Sequence, residues 1–345
     1  MDIREFDAEQ LRVIANIAMQ YDMFIETRRD FEALPYHLKW HTSAGREYLY
    51  EIRNARGDGR SLGPRSAETE ATKASYDEQK ERLRQRQAGA ETTLATTAAI
   101  WRALKLPAIS HEAARILQEL DVRSMLGTSL LVVGTNAFAA YEIEAGGRFL
   151  MGWDATEDFD LAWTGKLVLG KAQVPQTLFG VLKSMDSTFT INSERTFQAR
   201  NAKAYEVELL SAPSVQSSLP KGEMNPIPLE EQEWLLLGTP LEHVVCSLAA
   251  RPLPARIVAP DPRWMALHKM WLSRQPKRAA AKRPKDARQG AFLLTAVRER
   301  MPRFALDSAF ERQIPATLCP IYEEWAKVGL DFSHADAGNK TGHPT

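Results

Sequence analysis

The stretch Leu130-Leu-Val-Val133-Gly134-Thr135-Asn136, with Thr156-Glu-Asp158-Phe-Asp160-Leu-Ala-Trp163 further on, decides the fold. A continuous apolar run closed by glycine reads as a buried strand. Gly134-Thr-Asn then opens a short helix, around Ala137 to Ile143, which Gly146-Gly147 breaks. Asp158 to Trp163 reads as a second strand and Ala204 to Leu210 as a later one. Strand, helix, strand and further strands predict an α/β (α+β) core with a mixed sheet.

The chemistry sits at the strand ends. Asp158 and Asp160 are two residues apart, so on a strand their carboxylates share one face. Like charges that close are costly unless a cation neutralises them. Hard oxygen donors at this spacing suit Mg²⁺ (or Mn²⁺), which keeps positions open for substrate phosphates. A third carboxylate should come from a neighbouring strand, where Glu206 and Glu208 are both candidates. Asp154 and Glu157 read as loop charges. At Gly134 the backbone can approach a phosphate, the helix start offers free N–H groups, and the Thr135 hydroxyl adds a donor. The phosphate cradle and the acidic pair lie 24 residues apart.

Working outward, the first 120 residues read as mainly helical. Asp7 and Gln10 form a capping box for a helix to residue 34, with Leu11, Ile14, Ala18, Tyr21 and Ile25 as its apolar stripe. Residues 36–65 read as a β-hairpin turning at Asn54-Ala-Arg-Gly-Asp-Gly59. Ser66 caps a polar helix to about Gln87, and two more helices over 91–121 break at Pro107, the second capped by Ser110. From Leu229 the chain reads as helical, interrupted at Arg251-Pro-Leu-Pro254 and Pro260-Asp-Pro262. The expected segments are 1–120, a catalytic core over 121–225, a helical C-terminal region over 226–332, and a disordered tail over 333–345.

Of 345 residues, 44% are apolar and 26% charged, as in soluble globular chains. Lys plus Arg and Asp plus Glu both total 44, which excludes a nucleic-acid binder acting by bulk charge. A local patch is another matter: Arg274 to Arg288 holds seven Lys or Arg against one acid. That run reads either as a solvated face or as a channel wall for triphosphate or a nucleic-acid acceptor. A weaker patch of five arginines between Arg46 and Arg65 is offset by three acids. Cys246 and Cys319 lie far apart with no CxxC, no apolar run reaches membrane length, and the first residues lack a signal pattern, so a reduced cytoplasmic setting is expected. His268 is either a phosphate or ribose ligand or a packed histidine, and His111 a first-turn helix residue. Trp163, Trp234, Trp264 and Trp271 read as core, with Trp153 the best candidate for stacking on a base.

The pattern of apolar strand, Gly134-Thr135, short helix, Asp158-x-Asp160 and a later acid resembles the DNA polymerase β-like nucleotidyltransferase superfamily. There the helix opens with Gly-Ser, and Thr135 keeps the hydroxyl. Val207-Glu208-Leu209-Leu210 is similar to the family's third-strand segment, so the resemblance favours Glu208 as third metal ligand. The later segment, with His268-Lys269, Arg274, Arg278 and Lys285-Asp286, resembles a bacterial nucleotidyltransferase-fold subgroup and the toxins of abortive-infection systems. By that resemblance Lys269 contacts the triphosphate, Arg274 assists it, and Asp286 is the acid beside it. Gln289 stands where the toxin pattern has a second Asp. The resemblance covers about residues 125–300 and implies a Mg²⁺-dependent transfer of NMP from an NTP, releasing pyrophosphate. The implied acceptor is RNA, protein or a small molecule. The alternative is a non-catalytic nucleotide-binding or toxin–antitoxin partner module.

Overall fold

The computed structural model describes residues 3–54, 57–150, 158–169, 175–218 and 223–333. Asp7 accepts the Gln10 N–H at 2.8 Å while the Gln10 side chain accepts the Asp7 N–H at 3.0 Å, and this box opens the Ala8–Ala33 helix. Its buried face is Val13, Ile17, Tyr21, Phe24 and Ile25. The expected stripe is therefore rotated, and Leu11 is exposed. Ser66 caps one continuous Ala67–Ala103 helix, not two shorter ones. Gly89 does not break it, because a mid-helix glycine costs only about 1 kcal/mol. Packing secures both halves, through Tyr76 and Leu83 early and Leu94, Ala98 and Trp101 late.

The expected hairpin is a three-stranded antiparallel sheet, His37–Ser43, Arg46–Ile52 and Gly59–Pro64. Its first turn is Ala44-Gly45 with φ of 49° and 75°, the two left-handed residues that a tight two-residue hairpin requires. Leu38, Leu49 and Tyr76 make a small core beneath it.

The central sheet runs Thr190–Ile191, Gln198–Arg200, Glu206–Ser211, Asp158–Trp163, Leu130–Val132. Asp158–Trp163 is parallel to Glu206–Ser211 and antiparallel to Leu130–Val132, so the sheet is mixed. Phe159, Leu161, Val207 and Leu209 are buried on one face, which leaves the alternate acids on the other. One further reading is corrected: residues 241–259 are not helical. Leu241–Ser247 and Pro254–Ala259 pair antiparallel, and Ala108–Ile109 joins the first in parallel. The β-branched Val244, Val245, Ile257 and Val258 suit a pleated surface, and Arg251-Pro252 lies in the connection, not in a helix break.

One apolar core holds buried residues from Phe6 to Phe332, so the three expected segments share it. The N-terminal Ile3–Glu5 strand pairs with Gly147–Phe149. Arg256 joins Asp121 at 3.0 Å, Asp22 at 2.5 Å and Glu242 at 3.3 Å, tying the first helix to the Leu241–Ala259 hairpin. No described helix is long and apolar enough to cross a membrane. The expected tail lies outside the described residues from 334 onward.

Glu142 is buried in the Phe138–Glu144 helix and accepts the Phe149 N–H at 2.7 Å and Arg148 Nε at 3.2 Å. Burial outweighs the Arg148 charge and pushes its carboxyl up from 4.5 to about 7. The folded protein therefore holds a proton that the unfolded chain releases. Stability from this group is complete below about pH 4.5 and is lost as pH rises through 7, by about 3 kcal/mol. Glu142→Gln should melt higher than wild type at pH 8 and alongside it at pH 4.5. Parallel pH profiles of melting temperature would rule this out.

Candidate active site

The site begins where the Leu130–Val132 strand ends. Val133 N–H bonds to the Asp160 carbonyl at 3.1 Å, so the two strands stay in register up to the turn. Gly134 follows with φ +68°, and a Cβ there would lie 2.3 Å from Asp160 Oδ2. Only glycine fits both the backbone and that carboxylate. The turn Gly134–Ala137 runs directly into the Phe138–Glu144 helix, and Asn136 Nδ2 ties it to the Asp158 carbonyl at 3.3 Å. Gly134→Ala should cut transfer by roughly a hundredfold by displacing Asp160, for about 1 kcal/mol of stability. Steady-state rates and melting curves on one preparation test this. Wild-type kcat would disprove it.

Side by side across the parallel pair, Glu208 is in register with Asp160, and Glu206 with Asp158. Asp158, Asp160 and Glu208 line one cavity of about 240 Å³ together with Gly134 and Thr135. Glu206 is not among the lining residues. It pairs with Arg200 and accepts Gln198 Nε2 at 2.8 Å, and the same amide reaches Glu208 at 3.1 Å. Asp160 is held above the ordinary carboxylate range by burial first, with Asp158 adding to it against Lys269 and Lys282. Glu208 is likewise raised by burial, then by Asp160 and Asp158. Burial thus makes the Asp160 and Glu208 carboxylates costly to ionise without a further cation. This hard-oxygen donor set fits a divalent cation such as Mg²⁺. Among the described residues, no three His, Cys, Asp or Glu side chains already converge as a coordination cluster.

Facing the acids stands a basic wall built by two helices, Pro262–Ser273 and Arg283–Arg300, and the segment that joins them. They approach closely at Gly290, where a Cβ would lie 2.6 Å from the Ala266 carbonyl oxygen. That contact sets Lys269 against Asp286, at 3.0 Å and both buried, while Arg278 takes the other carboxylate oxygen at 2.7 Å. Burial works against the charged form of Asp286, but Lys269 and Arg278 together hold its carboxyl below the ordinary range. Lys269, Arg278, Lys282, Lys285 and Asp286 all line the cavity, and Lys282 Nζ stands 4.0 Å from Asp158.

Arg274 is a correction. Its guanidinium bonds Glu324 at 2.7 Å and lies 4.5 Å above the Phe332 ring, and it does not line the cavity. Just past the C-terminal end of the Pro262–Ser273 helix, it points to the Cys319–Val328 helix, not to the acids. His111 bonds the Ser247 hydroxyl at 3.2 Å, and Gln289 is fully buried outside the cavity lining, its amide without a partner among the described residues. Trp163 and Trp264 are core, while Trp234 and Trp271 stack edge to face at 5.1 Å. Trp153, Asp154, Thr156 and Glu157 lie outside the described residues.

In the sequence, Arg278 and Lys285 stand out only through the resemblance and the basic run, and Lys282 only as a member of that run. Leu210, Leu229, Glu231, Gln232 and Leu272 complete the lining and carry no local signal.

No curated protein and no solved structure matches the chain. A family model described as nucleotidyltransferase matches residues 111–315. That span exceeds half of the chain and contains every residue lining the cavity. The chain therefore belongs to this nucleotidyltransferase family and is a transferase of phosphorus-containing groups.

Proposed function

We propose that the protein is a Mg²⁺-dependent (or Mn²⁺-dependent) enzyme that transfers an NMP from an NTP to RNA or protein, with release of pyrophosphate. One observation carries the reading: Asp160 and Glu208 stand in register beside Asp158, across one cavity from Lys269, Arg278, Lys282 and Lys285. Acids on one side and cations on the other suit a substrate whose α-phosphate is attacked while its β- and γ-phosphates leave. Asp158, Asp160 and Glu208 would hold the ion. When bound, it neutralises phosphate charge and favours the ionised acceptor oxygen. The cations on the opposite wall bind the departing pyrophosphate oxygens, and the fixed Lys269–Asp286–Arg278 arrangement orients them before the reaction. Gly134 keeps the backbone low so that the triphosphate and Asp160 fit together. The cytoplasm is the expected setting, with both cysteines free.

Each α-labelled NTP should be incubated with the protein, Mg²⁺, total RNA and lysate protein. Label is expected in one fraction with equimolar pyrophosphate. No label and no pyrophosphate, with Mg²⁺ or Mn²⁺, would sink the reading. A second reading is favoured by the absence, among the described residues, of a converged metal cluster. It is a nucleotide-binding module without transfer, acting as a toxin–antitoxin or defence partner. Saturable NTP binding without pyrophosphate would support that instead.

A further inference from the structure

The cavity changes character along the Glu208 strand. Glu208 and Leu210 share its lining face, one pleat step apart. Beyond the acid, Leu229 and Leu272 continue the apolar wall. Three polar side chains interrupt it: partly buried Glu231, then Gln232 and His268. Gln232 is 3% exposed and His268 5%, and both line the cavity. Gln232 Oε1 and both His268 ring nitrogens are enclosed without a hydrogen-bond partner among the described residues.

Buried polar groups are normally paired, so orphans gathered in one cavity point to a ligand that pairs them. Its chemistry can be narrowed. Burial, and then the Lys269 charge, drive the His268 imidazole down to about 3, so it is neutral with one donor and one acceptor. A neutral imidazole and a carboxamide between leucines do not suit a phosphate. They suit a flat, apolar-faced heterocycle with donors and acceptors on its edge. We propose that Leu210, Leu229 and Leu272, with Gln232 and His268, form the subsite for the base of the incoming nucleotide. Gln232 and His268 hydrogen-bond the base edge and set which NTP is taken. This rests on the nucleotidyl-transfer reading, because the same cavity carries the cations that would hold the triphosphate.

The test compares binding of ATP, GTP, CTP, UTP and inorganic tripolyphosphate to the full chain by titration calorimetry with Mg²⁺. Wild type is expected to bind its preferred NTP at least about tenfold more tightly than tripolyphosphate. Gln232→Leu and His268→Phe should each lose that preference by about tenfold while the tripolyphosphate Kd stays unchanged. Both should melt no lower than wild type, since each removes unpaired buried polar atoms. The proposal is overturned if either variant keeps the wild-type ranking of NTPs, or weakens tripolyphosphate equally. It is also overturned if a variant raises only the KM for the acceptor, which would make the subsite the acceptor's. Continued label transfer in those cases leaves the nucleotidyl-transfer reading standing. Wild type binding neither NTP nor tripolyphosphate would end both.

Discussion

Asp160→Asn is expected to lower nucleotidyl transfer by about a thousandfold or more and to leave the metal-free protein as stable as wild type or more so. The two effects have one cause. Asp160 is raised by burial and by Asp158, and it stands in register with Glu208. Its charge is a burden until a cation shares it, and Asn keeps the shape without the charge. A structural aspartate would behave in the opposite way, losing stability with its charge. Pyrophosphate release with Mg²⁺, and melting curves in chelator, measure the two sides independently. Transfer within tenfold of wild type would remove Asp160 from the reaction. A large drop in melting temperature would remove the electrostatic account.

The second large effect is expected at Lys269. Its ammonium and the Asp286 carboxylate are both buried, 3.0 Å apart. Lys269→Met leaves Asp286 with Arg278 alone and should cost about 3 kcal/mol, the low end for breaking a buried ion pair. Transfer should fall as well, since Lys269 lines the cavity. The double variant Lys269→Met with Asp286→Leu separates the two roles. Replacing a buried pair by apolar residues of similar size is often neutral or better for stability, so the double variant should recover in urea unfolding yet remain inactive. An active double variant would make the pair structural only. A single variant that unfolds like wild type would show the pair to be energetically idle.

The acidic strand was legible because a strand has a period of two. Asp158 and Asp160 had to share a face whatever the fold around them, and apolar Phe159 and Leu161 between them fixed which face was buried. The same rule could not choose between Glu206 and Glu208, which also share a face. Their difference lies in neighbours: Gln198 bonds both, but Arg200, from the same strand, pairs with Glu206, while Glu208 lines the cavity. The caps at Asp7, Ser66 and Ser110 were legible for a similar reason, since each bonds within three residues. The break expected after Gln87 is absent because the local penalty of Gly89 is small beside the packing that extends the helix on both sides of it.

Arg274 shows the limit most clearly. In sequence it belongs to the same basic run as Arg278, Lys282 and Lys285, yet its partner is Glu324, 50 residues away. The helix end on which it stands decides that, and no local pattern encodes it. Leu229, Gln232 and Leu272 are ordinary residues locally and become a lining only when the Glu208 strand and the Pro262–Ser273 helix face each other. The sequence by itself determined the strand–turn–helix–strand unit and the acidic face, because these rest on periodicity and turn chemistry between near neighbours. Only the tertiary structure decided which glutamate joins the acids, which cations face them and where the apolar end of the cavity lies, because side chains distant in sequence are selected by packing.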